Sequence, residues 1–235
     1  MRGIRPGLCI GVFLISAFFF SSVSRADIYL ENENVSFGKP NQAVRKKIEK
    51  NYLISTASRI EPGNGKVIIL DYTAVMMYTL DPRTKTYTRM SMNDLGVPEK
   101  MPGLAKDEIG KAIVWLLNGF KLIPTSETKT VAGYTCRKCI CNFGLIQAEC
   151  WVSKEVPGYP ELKAMGIRMG TVLRNNPIGR EVNVAAMVET LDGLPVQITS
   201  RMLGKTTVST LREVEERSLD PELFKVPKDY KPARK

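Results

Sequence analysis

The chain has 235 residues, 43% of them hydrophobic, a net charge of +10 and no histidine. That length suffices for one sizeable domain with its own core. The missing histidine excludes Ser-His-Asp and Cys-His nucleophilic catalysis, histidine-ligated metals and haem attached through C-x-x-C-H, and it removes the commonest general base near neutral pH.

Residues 1–26 read as a cleavable secretory signal peptide. Arg2 and Arg5 precede the apolar run Leu8–Phe20, which only Ser16 interrupts. Ser24 and Ala26 then occupy the −3 and −1 positions of an A-x-A-like site, so cleavage is expected before Asp27 and the mature chain is expected in the periplasm. The run holds 13 residues, whereas a spanning helix needs roughly 20. No other segment approaches that length, so residues 27–235 are expected to form a single domain that does not span the membrane. Cys9 falls inside the signal. Its removal with Arg2, Arg5 and Arg25 lowers the charge from +10 to +7. The remaining cations are spread along the chain without a nucleic-acid motif. A surface of this sign serves as a solubilising face, or else suits anionic lipid headgroups or acidic partners better than nucleic acid.

Short segments with period-two alternation follow. Residues 28–37 and 44–60 read as the first strands, with Val44, Ile48 and Tyr52 on one side, and Lys66–Leu70 as a short apolar strand. Ala74–Leu80 and Lys85–Met90 flank Asp81-Pro82-Arg83-Thr84, which has the Asp and Pro of a type I turn. Val182–Leu191 and Leu194–Leu203 flank Asp192-Gly193, a strong hairpin signal. Thr206–Val214 reads as a further strand.

Two segments carry helical periodicity instead. Over Leu104–Phe120, Ile109, Ala112, Ile113, Leu116, Leu117 and Phe120 form a wide apolar stripe. Over Pro160–Arg174, Leu162, Met165, Met169 and Val172 share a face, and Pro177 limits extension. The expected class is α+β, a curved antiparallel sheet with two helices packed against it.

Cys136, Cys139, Cys141 and Cys150 remain after cleavage. An even count in an oxidising compartment predicts two disulfides, with three connectivities open. A strand Tyr134–Asn142, a turn near Gly144 and a return strand Ala148–Ser153 bring Cys139 or Cys141 opposite Cys150, while Cys136 points to the other face. A Cys₄ metal site and a redox pair at Cys136-x-x-Cys139 are the alternatives; the first has an uncommon spacing, and the second lacks the following helix that lowers a thiol pKa.

Four segments resemble a family of exported bacterial domains of unknown function. They are Tyr78–Tyr87 with Asp81-Pro82 and Lys85, Val131–Cys136 with Gly133, Glu149–Lys154 with Trp151-Val152-Ser153, and Asp220–Tyr230 with Leu223-Phe224 and Val226-Pro227. That family is similar to the LolA/LolB-type periplasmic lipoprotein carriers. The resemblance implies an incomplete β-barrel, a half-pipe whose concave side is covered by helices and holds acyl chains, with no catalytic residues and no cofactor. Met76, Met77, Met165, Met169, Met187 and Met202, with Trp115 and Phe120 on the lid, either simply fill the core or are the residues that such a hollow would use, because methionine adapts to irregular apolar ligands. The leading expectation is therefore a non-enzymatic periplasmic binding protein for a lipid or lipoprotein acyl chain. The alternatives are an envelope protein-interaction or sensory module without a ligand, and a cysteine-based redox or metal protein. The scattered acids Asp71, Asp81, Asp94, Asp107 and Asp192 suit turns and helix starts better than acid–base work.

Overall fold

The computed structural model describes residues 27–38, 44–94, 121–143, 146–176, 183–202 and 204–233. The expected signal peptide over 1–26 and the expected helix Leu104–Phe120, with Trp115 and Phe120, lie outside these residues.

Most of the described chain is strand: β1 (Ile28–Phe37), β2 (Arg45–Ile54), β3 (Ala57–Glu61), β4 (Val67–Asp71), β5 (Met76–Asp81), β6 (Thr86–Ser91), β7 (Lys121–Val131), β8 (Tyr134–Phe143), β9 (Ile146–Ser153), β10 (Leu194–Met202), β11 (Lys205–Glu216) and β12 (Lys231–Pro232). All twelve belong to one sheet in the order β12-β6-β5-β4-β3-β2-β1-β11-β10-β9-β8-β7. Two antiparallel meanders, β2–β6 and β7–β11, therefore meet at β1, which pairs β2 on one side and β11 on the other. Among the described strands only β12 runs parallel to its neighbour, β6. The sheet is open and curved, and it dominates the α+β character expected from the sequence.

Local chemistry fixes the turns. Asp81 accepts from the Arg83 amide at 3.1 Å and pairs with Lys66 at 2.5 Å, closing the β5–β6 hairpin where Asp-Pro predicts it. Between β7 and β8 the two-residue turn has Ala132 at φ 48° and Gly133 at φ 87°, the left-handed pair that matches the twist of a hairpin.

Alternation gives the sheet two faces, and each is covered differently. On one face lie α1 (Tyr159–Val172) and α2 (Val184–Leu191). On the other, the C-terminal tail lays Val226 and Tyr230 against Val67, Ile69, Leu80, Tyr78 and Tyr87. A 3₁₀ turn Pro221–Phe224, capped by the Asp220 carboxylate on the Glu222 amide at 2.9 Å, starts that tail. Arg59 then holds it by donating to the Leu223 carbonyl at 3.1 Å. Ile69 and Leu80 are thereby almost fully buried, each contributing on the order of 1.5–3 kcal/mol of apolar burial.

Two expectations need correction. Val182–Leu191 is not a strand: its described part, from Val184, is α2, so Asp192-Gly193 closes a helix rather than a hairpin. Asn183 caps the start, accepting from the Ala186 amide at 3.3 Å, and Asp192 takes the left-handed C-terminal position at φ 47°. Asp-Gly suits a helix stop as well as a type I′ turn, because both need positive φ. The strand β7, absent from the sequence reading, buries only Val131 fully and so carries little hydrophobic pattern. It is the sheet edge, and Pro124 and the bulge between Pro124 and Thr128 blunt it, as unpaired edges require.

Candidate binding face between helices and sheet

The helix face begins where α1 starts. Gly158 stands at φ 67°, and a Cβ there would lie 2.8 Å from Cδ1 of Ile28, so only glycine lets the chain turn this close to β1. From that point α1 runs across the sheet. Near its N-terminus Leu162 joins a cluster with Ile28, Leu30, Val196 and Leu211. Midway, Arg168 donates to the Ser55 carbonyl at 2.6 Å. At its far end Met169, Val172 and Leu173 pack over Leu70, Tyr72 and Met92, with Ile60, Ile68, Val75 and Met77 alongside. Asn176, buried, closes the crossing by donating to the carbonyls of Met92 and Asn93, each at 3.0 Å.

The second helix is held against the first by small residues. A Cβ on Gly170 would meet the Ala185 nitrogen at 2.7 Å, and one on Gly166 would meet Val188 at 3.0 Å. On its sheet side α2 places Met187 and Leu191 over Cys139, Cys150 and Val152, together with Leu122, Cys141 and Ile198. Arg137 donates to the Leu191 carbonyl at 3.2 Å and so anchors the C-terminus of α2 to β8.

The predicted methionines separate on this frame. Met169 and Met187 lie in the packed layer between helices and sheet. Met165 borders a crevice of about 20 Å³ with Ser55, Glu161, Ala164 and Arg168, room for one water and not for an acyl chain. Met76 shares its strand face with Tyr78 and Leu80, whose cluster lies under the C-terminal tail, while Met77 is the residue turned to the helices. Period-two alternation from the buried Leu80 was the signal that separates the two. Leu122, Ile198 and Leu191 complete the layer and were not anticipated; the first lies in the unrecognised edge strand and the last in the unrecognised helix.

The layer is apolar under the helices and polar further along the strands. Glu49 accepts from Asn51 at 3.2 Å and from Asn34 at 3.5 Å, and Ser36 meets Thr207 at 3.3 Å. The opposite face of β7–β10 carries a lattice of charges around the buried Trp151. Lys138 lies 3.2 Å from Glu127 and 3.7 Å from Glu149, Arg201 lies 2.9 Å from Glu149, and Lys129 stacks 4.1 Å over Trp151. The Arg201 hydrogen bond holds the Glu149 carboxyl below its ordinary range, and Lys46 with Arg212 does the same for Glu33.

The cysteines divide by face. Cys139 stands directly opposite Cys150, and Cys141 opposite Ala148, on the helix face. Cys136 stands opposite Lys129 and by strand parity points away from Cys139; it lies in the buried cluster that also holds Val131, Trp151 and Leu162. All four are free thiols, so the expected pair of disulfides is not present, and the sheet itself separates Cys136 from the other three. The same separation rules out four cysteines converging on one metal, and among the described residues no group of three His, Cys, Asp or Glu could hold an ion. Burial pushes the Cys150 thiol up to about 12 and raises Cys139 and Cys141 as well, the reverse of what a reactive thiolate needs.

These features define a protein built on an open curved sheet, with a helix pair packed on one face through an apolar layer. The model of the family described as a domain of unknown function, DUF4412, matches residues 43–230, and the chain belongs to that family. No curated protein matches it. Among solved structures it is similar to PNGF-II, with 13% identity and a TM-score of 0.44, over 89% of this chain but only 32% of that one. The chain thus spans about a third of PNGF-II. It is also similar to a domain of an outer membrane lipoprotein-sorting protein from Vibrio parahaemolyticus, with 10% identity and a TM-score of 0.36, over 85% of this chain and 89% of that one. A DUF1329 family protein from Desulfovibrio piger gives 12% identity and a TM-score of 0.36, over 86% and 91% of the two chains. These likenesses are distant, and the architecture described above rests on the strand register and packing of this chain. Among the described residues no helix is long and apolar enough to cross a membrane.

Proposed function

We propose that this is a non-enzymatic binding protein of the bacterial periplasm, which holds an apolar ligand, a lipid or lipoprotein acyl chain, between its helix pair and the sheet. The observation that supports it is the layer in which Met169 and Val172 of α1, with Leu173 just beyond its end, lie only partly buried against Ile60, Ile68 and Met77. Half-buried methionine and isoleucine at one seam give an adaptable apolar lining. The reading of residues 1–26 as an export signal supplies the compartment. The crevice at Met165 is closed to a chain-like ligand, so loading requires α1 to lift from β3–β5. Among the described residues the polar ties that resist this include Arg168 to Ser55 and Asn176 to the carbonyls of Met92 and Asn93.

Native mass spectrometry of protein recovered from a bacterial periplasm tests the proposal. The expected result is extra mass released on denaturation and extractable as lipid, with binding of a fluorescent fatty acid that Met169→Glu weakens at least tenfold while the circular dichroism is unchanged. Protein that arrives empty and binds no fatty acid overturns it.

A further inference from the structure

At one end of the sheet the ends of seven strands lie side by side. The register passes from Lys121 to Asn142, Gln147, Arg201, Thr206 and Phe37 across β7, β8, β9, β10, β11 and β1, and Ser36 next to Phe37 faces Arg45 of β2. At about 4.8 Å per strand, this rim is roughly 24 Å wide from β7 to β1. The last three residues of these seven strands at this end include six cations, Arg45, Lys46, Lys47, Lys121, Arg201 and Lys205, and no acid. Lys46 and Arg201 are engaged by Glu33 and Glu149 from further along the strands. Arg45, Lys47, Lys121 and Lys205 have no ion pair among the described residues. The other end of the sheet mixes Asp27, Glu155, Glu215 and Glu216 with Lys154 and Arg217, the last paired with Glu215, so charge of one sign is collected only at this rim.

The same rim carries the exposed large apolar side chains of the described residues. Phe37 is 44% exposed, Val44 58% and Ile123 45%; Phe37 ends β1, Val44 precedes β2 and Ile123 is the third residue of β7. Scattered single apolar residues on a surface are ordinary. Three of them confined to the basic rim are a pattern, and its chemistry is that of an interface: cations for anionic headgroups and a shallow apolar row to enter the boundary beneath them. An acidic protein would complement the charge but would leave Phe37, Val44 and Ile123 without a use.

We propose that this end of the sheet docks the protein peripherally on a membrane surface bearing anionic lipid headgroups. The docking does not depend on a ligand in the layer under α1. The charge collected there would turn the rim toward a negative surface before contact.

Co-sedimentation of the periplasmic protein with vesicles tests this, using phosphatidylcholine alone and phosphatidylcholine mixed with phosphatidylglycerol. The expected result is binding at least tenfold stronger to the anionic vesicles and weakened by salt, since exposed charges are screened beyond about 10 Å at 0.1 M. The combined variant Arg45→Glu, Lys47→Glu, Lys205→Glu is expected to lose this binding. The control Arg83→Glu, Lys228→Glu, Lys231→Glu makes the same charge change at exposed positions elsewhere and is expected to retain it. Phe37→Ser is expected to weaken binding several-fold at constant charge, and Phe37→Trp to shift its emission to the blue on anionic vesicles only. Equal binding to both vesicle types, binding to neither, or equal loss in the control overturns the proposal. Met169→Glu, which tests the ligand layer, is expected to leave vesicle binding unchanged, so the two proposals fail separately.

Discussion

Cys139 and Cys150 are legible at the scale of single residues. The turn near Gly144 narrows the partner of Cys150 to Cys139 or Cys141, and the register selects Cys139. Directly opposed residues in an antiparallel pair have Cα atoms about 4.5–5.5 Å apart, inside the range a disulfide spans. In an oxidising compartment the expected product is one bridge, Cys139–Cys150, with loss of two hydrogens, leaving Cys136 and Cys141 as thiols; peptide mapping without reduction checks it. In reduced protein, burial and the neighbouring sulfurs that hold the Cys150 pKa near 12 make it inert. Iodoacetamide at neutral pH is expected to leave Cys150 unlabelled until denaturant is added. Rapid labelling of Cys150 in the folded, reduced protein would show that α2 does not cover it. Met76 and Met77 make the complementary point: composition marks both, and only strand parity tells which one faces the helices.

Among the elements, the helix pair is the part whose geometry leaves least room for change. The contact of Gly170 with the Ala185 backbone is with atoms that cannot rotate away. Gly170→Ala is expected to part the helices and destabilise the fold by about 1–3 kcal/mol, as overpacking does, measurable by denaturant unfolding. Gly166→Ala faces the movable Val188 side chain instead and is expected to be milder. The periodicity over Pro160–Arg174 predicts α1 (with the 3₁₀ turn Leu173–Asn175 continuing it) because an amphipathic stripe of that length has one good solution. The segment Val184–Leu191 is short and largely apolar, a case in which strand and helix patterns coincide, and the Asn183 cap with the docking of Met187 and Leu191 decides for helix. Edge strand β7 was illegible for the opposite reason, having too little buried side-chain pattern.

For the whole molecule, the C-terminal tail replaces a third element on the face opposite the helices. Val226 and Tyr230 cover Ile69 and Leu80, and β12 adds backbone bonds from Lys231 to Lys85 at 3.0 Å and from Ala233 to Tyr87 at 2.8 Å. A chain ending after Leu219 is expected to lose roughly 3–6 kcal/mol of apolar burial from those two side chains. Its thermal midpoint is expected to fall sharply and dye binding to exposed apolar surface to rise. A truncated chain as stable as the parent would mean that the β3–β6 meander does not need the cover.

By itself the sequence determined the strand-rich class, most of the described strands, the helix α1, the hairpin that brings Cys139 or Cys141 opposite Cys150, and the exclusion of histidine chemistry. These follow from periodicity, turn residues and composition, which act over a few neighbouring positions. Only the tertiary structure decided which face each strand shows to the helices, which helix covers the thiols, and where the charge collects. Arg45 and Lys47 belong to the short basic run Arg45-Lys46-Lys47, whereas Lys121 and Lys205 stand singly and far from it in the chain. They meet at one rim because antiparallel pairing returns every second strand end to the same side of the sheet, a consequence of topology that no local pattern contains.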